Sequence, residues 1–291
     1  MSVLGEKLLF HLNNAVPNQH KSLLEAKSSP ETYNSFFASR AKSSFAQFGK
    51  MDLKDQHVLD IGCGLGANLN FLLEAEVSHI TALDISEDQI KSTKKIFNSA
   101  VQNLQEKISF VTADAASLPF KDETFDAMVA ADTFEHIDNL SAAMKELARV
   151  LKSGGYLYVY FPPFYAPWGA HMVNWITVPW CQVFFSEKTV LNVARRLEKE
   201  NIAINCHLPV ETRLDLGNGK LIPFVNHLTI QRFLEIINSL TIWHIKLAKL
   251  LPPNWRKEEN KLATNIFRMF NNFPYLREMF TAKAVYILQK R

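Results

Sequence analysis

Cysteine is scarce in this sequence, and the three cysteines that it contains, Cys63, Cys181 and Cys206, are widely spaced. They form no C-x-x-C pair and accompany no cluster of histidines, so no metal site is expected. Their odd number also argues against a disulfide framework. Reduced thiols in a cytoplasmic protein are the simplest interpretation.

A strong excess of one charge is also missing. The 32 basic residues stand against 29 acidic ones, for a formal net charge of +3. This balance lacks the dense basic footprint that binding a phosphate backbone requires, so nucleic acid is not expected as the main partner. Apolar residues make up 47% and charged residues 21% of the chain, which is ordinary globular usage and predicts a sizeable buried core.

The chain has no uninterrupted apolar run long enough to cross a membrane. Residues 153–186 contain no Asp, Glu, Lys or Arg, but four prolines between positions 162 and 179 interrupt them. A spanning helix does not tolerate such frequent breaks, so we predict no membrane span. The N-terminus carries Glu6 and lacks a basic leader with an apolar run and a cleavage site, so we predict no export signal.

From His57 onward, short β-rich runs alternate with amphipathic helices, as in βαβ units with a parallel sheet. Gly154 and Gly155 are interpreted as the stop of the last of these helices. The pattern predicts strands over 57–61, 80–84, 108–112, 125–131 and 155–161, and helices over 65–74, 87–98 and 140–151.

The flanking regions are predicted to differ from this core. Pro30 and Glu31 open a helical segment near the N-terminus, and an aromatic, proline-rich stretch follows the fifth strand. Beyond it we predict helices over 188–199 and 229–238, an apolar run over 241–251 and a β-rich end over 282–289. The predicted organisation is an N-terminal helical cap (1–50), a core (51–161), an insert (162–228) and the remainder of the core (229–291).

Residues 58–66 read V-L-D-I-G-C-G-L-G, an apolar strand that runs into a glycine-rich turn and then a helix. Gly62, Gly64 and Gly66 permit backbone conformations and a close ligand approach that a Cβ would block. The helix N-terminus can favour an anionic group such as a carboxylate. The turn also fits G-x-G-x-x-A through Ala67, so a dinucleotide site stays open as an alternative.

Acidic residues mark the ends of three successive predicted strands. Asp60 lies on the first, Asp84 ends the second, and Asp114 follows the third. Because such strand ends meet at one edge of the sheet, Asp84 can accept hydrogen bonds from a ribose diol and Asp114 from an adenine amino group. A helix-cap or turn role is the alternative for Asp84 and Asp114, and the combination of three acids favours a cofactor.

Five short motifs resemble successive motifs of class I S-adenosylmethionine (SAM)-dependent methyltransferases, and the block 58–161 resembles the core of that family throughout. The resemblance implies a Rossmann-like, doubly wound, mostly parallel α/β sheet. It also implies an antiparallel C-terminal strand, which the ordinary dinucleotide fold lacks. The motifs are L-D-I-G-C-G-L-G (59–66), L-D-I-S (83–86), T-A-D-A (112–115), L-P-F (118–120) and F-D (125–126).

The same resemblance implies S-adenosyl-L-methionine as the cofactor and assigns residues to it. Asp60 and the loop from Gly62 would hold the methionine end, and Asp84 would hold the ribose. Ile85 would lie beside the adenine, and Asp114 with Ala115 would lie at the adenine edge.

The segment D-T-F-E-H (132–136) follows the fourth strand and should reach the edge that binds the cofactor. Asp132 is therefore counted with the cofactor-binding residues, and His136 is a candidate general base or acceptor-orienting group. Many small-molecule methyltransferases carry a similar Glu-His-Ile segment there. The alternative is that Glu135 and His136 start or cap the next helix. His171, in the insert, is a second catalytic candidate or a purely structural histidine.

The insert is rich in aromatic side chains that could line an acceptor cavity or pack the insert itself. These observations predict in-line methyl transfer to a small, apolar or aromatic acceptor at oxygen, nitrogen or carbon. Two alternatives stay open: an NAD-dependent oxidoreductase, and a SAM-binding regulatory protein without turnover. The aromatic residues are Phe164, Tyr165, Trp168, Trp175, Trp180, Phe184 and Phe185.

Overall fold

The computed structural model describes residues 2–15, 29–100, 106–172, 175–200, 225–252, 265, 269–270 and 273–291. The chain forms two compact units. The sheet unit comprises Ser29–Phe161, Gln231–Leu250 and Ala284–Arg291, and the insert unit comprises Met1–Ser28, Pro162–Ile230 and Leu251–Lys283. The division into cap, core, insert and remainder stays a prediction.

In chain order, the helices of the described residues are α1 (Ser2–Ala15), α2 (Pro30–Phe45), α3 (Leu69–Glu74), α4 (Glu87–Ala100), α5 (Leu140–Val150), α6 (Cys181–Phe184), α7 (Glu187–Lys199), α8 (Ile230–Ser239) and α9 (Pro274–Met279). The strands are β1 (His57–Ile61), β2 (His79–Asp84), β3 (Ile108–Thr112), β4 (Phe125–Ala131), β5 (Leu151–Phe161), β6 (Trp243–Leu251) and β7 (Lys283–Lys290). Short 3₁₀ turns cover Ala46–Phe48 and Phe134–His136.

The seven strands form one sheet in the order β3-β2-β1-β4-β5-β7-β6. The pairs from β3 through β5 are parallel, and β7 runs antiparallel to β5. The predicted fold class is confirmed. The chain order reverses at β1, which lies between β2 and β4, and ligands of such sheets bind beyond the carboxyl ends of the strands at this point.

Local sequence signals explain why the elements begin and end where they do. Ser29 caps α2 by accepting from the Thr32 amide at 3.2 Å, and Asn139 caps α5 by accepting from the Ala142 amide at 3.1 Å. The buried face of α5 repeats at helical spacing through Leu140, Ala143, Met144 and Leu147. Strands β1, β3 and β4 span the predicted residues.

The interpretation of Gly154 and Gly155 as a helix stop is wrong. Helix α5 ends at Val150, and both glycines lie inside β5, where the pairing with β4 shifts register and forms an irregularity. Gly154 has φ +80°, and a Cβ on Gly155 would lie 2.8 Å from the Asp126 carbonyl oxygen. The glycines therefore allow a bulged strand and a close backbone approach.

The apolar run over 241–251 forms β6, a strand at the edge of the sheet beside β7. Its largely alternating exposure is typical of a half-buried edge strand. The sequence analysis placed only one strand in this C-terminal region, so the sheet is one strand wider than predicted.

The insert unit has an apolar core of its own. Leu9 of α1 packs there with Trp175 and with Val190, Val193 and Leu197 of α7. The side chain of Asn13 links α1 to the backbone of Trp175 and Thr177 at 3.3 and 2.6 Å. The charge-free stretch after β5 is thus largely a packing surface.

Two further sequence expectations concern thiols and membranes. Cys63 and Cys181 are free and buried, whereas Cys206 lies outside the described residues. Within the described part of the chain, no helix combines the length and the hydropathy that a membrane crossing needs.

Acidification should destabilise the fold through His57. The rings of His57 and His79 lie 5.1 Å apart at the start of β1 and β2, and burial, followed by the charge of His79, lowers the pKa of His57. In the unfolded chain a histidine has a pKa of about 6.5, so the unfolded state binds the proton more tightly than the folded state. The free energy of unfolding therefore decreases as the pH falls below that value. Denaturant unfolding between about pH 7 and pH 5 should show a smaller loss of stability in His57→Gln than in wild type. His244→Gln, at an exposed histidine of β6, should keep the full loss, and identical pH profiles for all three proteins would contradict the assignment.

Candidate functional site

The predicted acidic residues meet at the carboxyl edge of the parallel strands. Ile61 pairs with Leu83 of β2 and with Ala130 of β4, so the chain leaves β1 between these two neighbours. Asp84 pairs with Thr112, the last residue of β3. The glycine turn and the segments after β2, β3 and β4 therefore share one edge.

The three glycines of the turn have different surroundings. All three have positive φ, at +67° for Gly62, +51° for Gly64 and +79° for Gly66. A Cβ on Gly62 would lie 2.4 Å from Thr133 Cγ2, and one on Gly66 would lie 2.6 Å from the Phe97 ring. A Cβ on Gly64 would meet nothing within 4 Å. Gly62 and Gly66 thus serve the packing of the turn, and Gly64 leaves open space beside it.

Polar side chains outside the turn hold its backbone in place. Thr93 of α4 donates from Oγ1 to the Gly64 carbonyl at 2.6 Å, and Thr133 donates to the Ile61 carbonyl at 2.9 Å. From α2, Asn34 donates to the Leu65 carbonyl at 2.8 Å. Sequence reasoning missed these residues. A threonine inside a helix, which commonly bonds backward to a carbonyl, was the available signal at Thr93.

Asp60 is fully buried at the end of β1. Its Oδ1 accepts from Asn68 Nδ2 at 3.0 Å, and no described residue donates to its Oδ2. Burial raises the pKa of Asp60 to about 7, and the charge of Asp84 adds to the rise while the Asn68 bond opposes it. A buried carboxylate oxygen without a donor is costly, so this position fits a ligand that brings an N–H or a positive charge.

Asp84 is half-buried and already oriented by backbone donors. Its Oδ2 accepts from the Gly64 amide and its Oδ1 from the Ser86 amide, each at 2.9 Å. A carboxylate oxygen has capacity for a second donor, so Asp84 can also receive hydroxyl groups. The next residue, Ile85, is 71% exposed and presents apolar surface beside this carboxylate.

The residues after β3 and β4 complete the edge. Asp114 is exposed and its Oδ1 accepts from the Ala116 amide at 2.8 Å, while Ala115 is buried. Asp132 is exposed with φ +54°, and its amide donates to the Tyr160 carbonyl at 3.0 Å. Asp132 thus occupies a left-handed conformation that is uncommon outside glycine and is typical of turns and functional sites.

Glu135 and His136 lie on the 3₁₀ turn that precedes α5. Asn139 caps that helix, so the alternative in which Glu135 or His136 starts or caps it is wrong. The two side chains differ in environment, because Glu135 is buried and His136 is exposed. Burial raises the pKa of Glu135 to about 8.

His171 lies in the insert unit, with φ +56° and an amide that donates to the Trp168 carbonyl at 2.9 Å. Most aromatic residues of the insert pack inside this unit. Phe164 and Trp175 are buried, and Trp180 donates from Nε1 to the Met279 carbonyl at 2.8 Å. Tyr165 and Phe184 are exposed and remain available for contact with a ligand or partner.

Comparison with known proteins places this edge in a recognised domain. Residues 59–159 match the family model described as a methyltransferase domain. Over 102 residues the chain is 36% identical to O-methyltransferase resE of Aspergillus sclerotiorum, covering 35% of this chain and 38% of that protein. Over 103 residues it is 35% identical to sterol 24-C-methyltransferase ERG6B of Gibberella zeae, covering 35% of this chain and 27% of that protein.

A solved structure extends the likeness in fold beyond the matched segment. The SAM-dependent methyltransferase from Mesorhizobium loti aligns with a TM-score of 0.53 and 14% identity, over 87% of this chain and 100% of that one. The matches to the two curated relatives span well under half of their lengths. Residues 59–159 therefore match a methyltransferase domain, and the chain shares its fold with a SAM-dependent methyltransferase.

Proposed function

We propose that this protein is a SAM-dependent methyltransferase that acts on a small, apolar or aromatic molecule. The observation that carries the proposal is the buried Asp60 carboxylate, whose Oδ2 receives no hydrogen bond from a described residue, beside a turn with open space at Gly64. The ammonium group of SAM would supply the missing donor together with a positive charge. The antiparallel β7 beside β5 further favours this family over the NAD-dependent alternative.

The remaining edge residues fit the rest of that cofactor. Asp84 would accept from the ribose hydroxyls, and the exposed Ile85 would cover one face of the adenine. Asp114 and Ala115 would lie at the adenine edge, and Asp132 would border the site from the end of β4. When bound, SAM supplies a methyl group on a positively charged sulfur, so a covalent protein nucleophile is unnecessary.

The protein's own work is then to orient the acceptor, exclude water and remove a proton where the acceptor carries one. Orientation alone can supply effective molarities of about 10⁵ M or more. His136 is exposed on the turn after β4, which suits a general base or a group that orients the acceptor. His171 is the second candidate for that role.

We assign acceptor recognition to the insert over residues 162–228, in which the exposed Tyr165 and Phe184 offer aromatic contacts. The relatives named as an O-methyltransferase and a sterol 24-C-methyltransferase support small acceptors of this general character. We also propose a cytoplasmic location, which the free, buried thiols of Cys63 and Cys181 support, and no role for nucleic acid.

SAM and S-adenosylhomocysteine should bind the purified protein, and NAD should not. Replacing Asp84 by Ala removes a charged acceptor for two hydroxyls and should weaken SAM binding by about 1.5 to 3 kcal/mol in calorimetry. Asp84→Asn keeps one acceptor oxygen and should lose less. Asp88→Ala removes an exposed carboxylate of α4 and should leave binding unchanged. NAD binding, or equal SAM affinity in wild type and Asp84→Ala, would overturn the cofactor assignment.

SAM affinity should decrease as the pH falls through about 7, the pKa of Asp60 in the free protein. Protonation of Asp60 removes the negative charge that an ammonium group requires, so the dissociation constant should rise by up to about tenfold per pH unit below that value. Calorimetry across this range should show a flat profile for Asp60→Asn, whereas Asp114→Asn should keep the wild-type slope. A slope unchanged in Asp60→Asn would assign the titration to another group.

His136→Ala should reduce methyl transfer by about 10²-fold or more while SAM affinity changes by less than about tenfold. Transfer of a labelled methyl group from SAM to a panel of phenols and sterols measures the rate. His136→Gln separates proton transfer from orientation, because glutamine can hydrogen-bond but does not titrate. His171→Ala tests the second candidate, and His244→Ala, at an exposed histidine of β6, is the matched control. Wild-type rates in both His136→Ala and His171→Ala would remove histidine catalysis, and cofactor binding without transfer to any acceptor would favour a regulatory protein.

A further inference from the structure

The segment that joins β3 to β4, residues 113–124, contains no helix or strand. Its first amide, that of Ala113, donates to the Asp84 carbonyl at 3.1 Å. The Ser117 amide donates to the Asp114 carbonyl at 3.0 Å and closes a turn. Because a segment without regular structure is held only by bonds to other parts of the chain, the position of Asp114 depends on what holds the segment after this turn.

Leu118 follows the turn directly, and an ion pair on α5 holds both of its backbone polar groups. The Leu118 amide donates to Glu146 Oε2 at 3.0 Å, and the Leu118 carbonyl accepts from Arg149 Nη2 at 3.1 Å. The Leu118 side chain is buried as well. The residue that ends the turn therefore cannot shift without breaking bonds to this pair.

The guanidinium of Arg149 is oriented by Glu146. Its Nε donates to Oε1 at 2.9 Å and its Nη2 to Oε2 at 2.7 Å, a bidentate arrangement that a lysine cannot reproduce. Its Nη1 donates to the Phe120 carbonyl and to Asp122 Oδ1, each at 2.8 Å. The side chains of Arg149 and Glu146 are only 31% and 25% exposed, so solvent screens these bonds incompletely.

Backbone bonds that do not involve these side chains already anchor the far end of the segment. The Arg149 carbonyl accepts from the Glu123 amide at 3.0 Å, and the Val150 carbonyl accepts from the Thr124 amide at 2.8 Å. The entry into β4 is thus fixed by the backbone of α5 itself. The side chains of the ion pair act on the part of the segment that lies closer to Asp114.

We propose that Arg149 and Glu146 are positioning residues for base recognition, because they hold the segment in the conformation that presents Asp114 to the amino group of adenine. The inference rests on the proposed function, in which Asp114 lies at the adenine edge. A hydrogen bond distinguishes one base from another only when its distance and direction are fixed. The pair would touch neither cofactor nor acceptor, and it would set the preference for adenine over a base that lacks the amino group.

S-inosylhomocysteine tests the proposal, because a carbonyl oxygen replaces the adenine amino group while the rest of S-adenosylhomocysteine is kept. In calorimetry, wild type should bind S-adenosylhomocysteine about tenfold or more tighter than S-inosylhomocysteine. Arg149→Gln and Glu146→Ala should lower this ratio to about threefold or less, mainly through weaker binding of S-adenosylhomocysteine. Arg149→Lys keeps the charge but not the planar fork, and its ratio should lie between these values.

Hydrogen exchange measured by mass spectrometry follows the segment without any ligand. Amides over 113–124 should exchange faster in the Arg149 and Glu146 variants, while those of β1 keep their protection. Lys145→Gln removes an exposed cation from the same helix and should match wild type in both measurements. Circular dichroism reports folding, and the milder Arg149→Lys carries the test where a stronger variant unfolds.

The outcomes separate this inference from the proposed function. If wild type prefers S-adenosylhomocysteine and the Arg149 and Glu146 variants keep the same ratio, the inference is overturned and SAM use stands. An equal proportional loss of affinity for both ligands would also overturn it, because the pair would then serve only the general stability of the site. Wild type that binds neither ligand would overturn the proposed function and the inference together.

Discussion

The Gly64 peptide is held from two sides, and the arrangement of the site depends on it. Its amide donates to Asp84 at the end of β2, and its carbonyl accepts from Thr93 of α4. These bonds connect the turn after β1 to the neighbouring strand and to the helix that follows that strand. Since Gly62 and Gly66 pack against the protein's own side chains, the turn keeps its shape without a ligand. The open space at Gly64 is consequently preorganised.

Electrostatics couple the same turn to the buried end of β1. Burial, and to a smaller extent the Asp84 charge, disfavours ionisation of Asp60, and the single bond from Asn68 compensates only in part. Asn68 lies at the start of α3, where its side chain bonds Asp60 and makes no cap bond to that helix. Helix α3 therefore lacks a side-chain cap, and the pKa of the buried Asp60 lies at about 7. Acids with a perturbed pKa are common at binding and catalytic sites, because a ligand can stabilise the charged form that burial disfavours.

The sequence predicted the parallel core well and its surroundings less well. β1, β3 and β4 were predicted to the residue because each is a short, mostly apolar run bounded by turn signals. The signal failed at β5, where Gly154 and Gly155 resemble a helix stop but permit a bulge that only the register with β4 reveals. Edge strand β6 was also missed, since an apolar run alone does not distinguish strand from helix.

The candidate site shows the same division between local and long-range signals. Asp60, Asp84 and the glycines were accessible from spacing along strands and turns. The contacts of Asn34, Thr93 and Thr133 with the turn were not, because each joins residues 29 or more positions apart. The aromatic residues of the insert were visible as a composition, but which of them pack inward depends on a core completed by α1.

The turn after β4 separates two titratable groups that are adjacent in sequence. Glu135 is buried, so it resists ionisation and holds its proton to about pH 8, whereas His136 reaches solvent. Neighbouring groups in opposite environments are a common basis for dividing acid and base roles. Under the proposed function, a protonated Glu135 would add no negative charge to the turn after β4, and Asp60 would be the buried acid whose ionised form an ammonium group stabilises. His136 is the exposed residue of the pair, so under the same proposal it, and not Glu135, would meet an acceptor that enters from solvent.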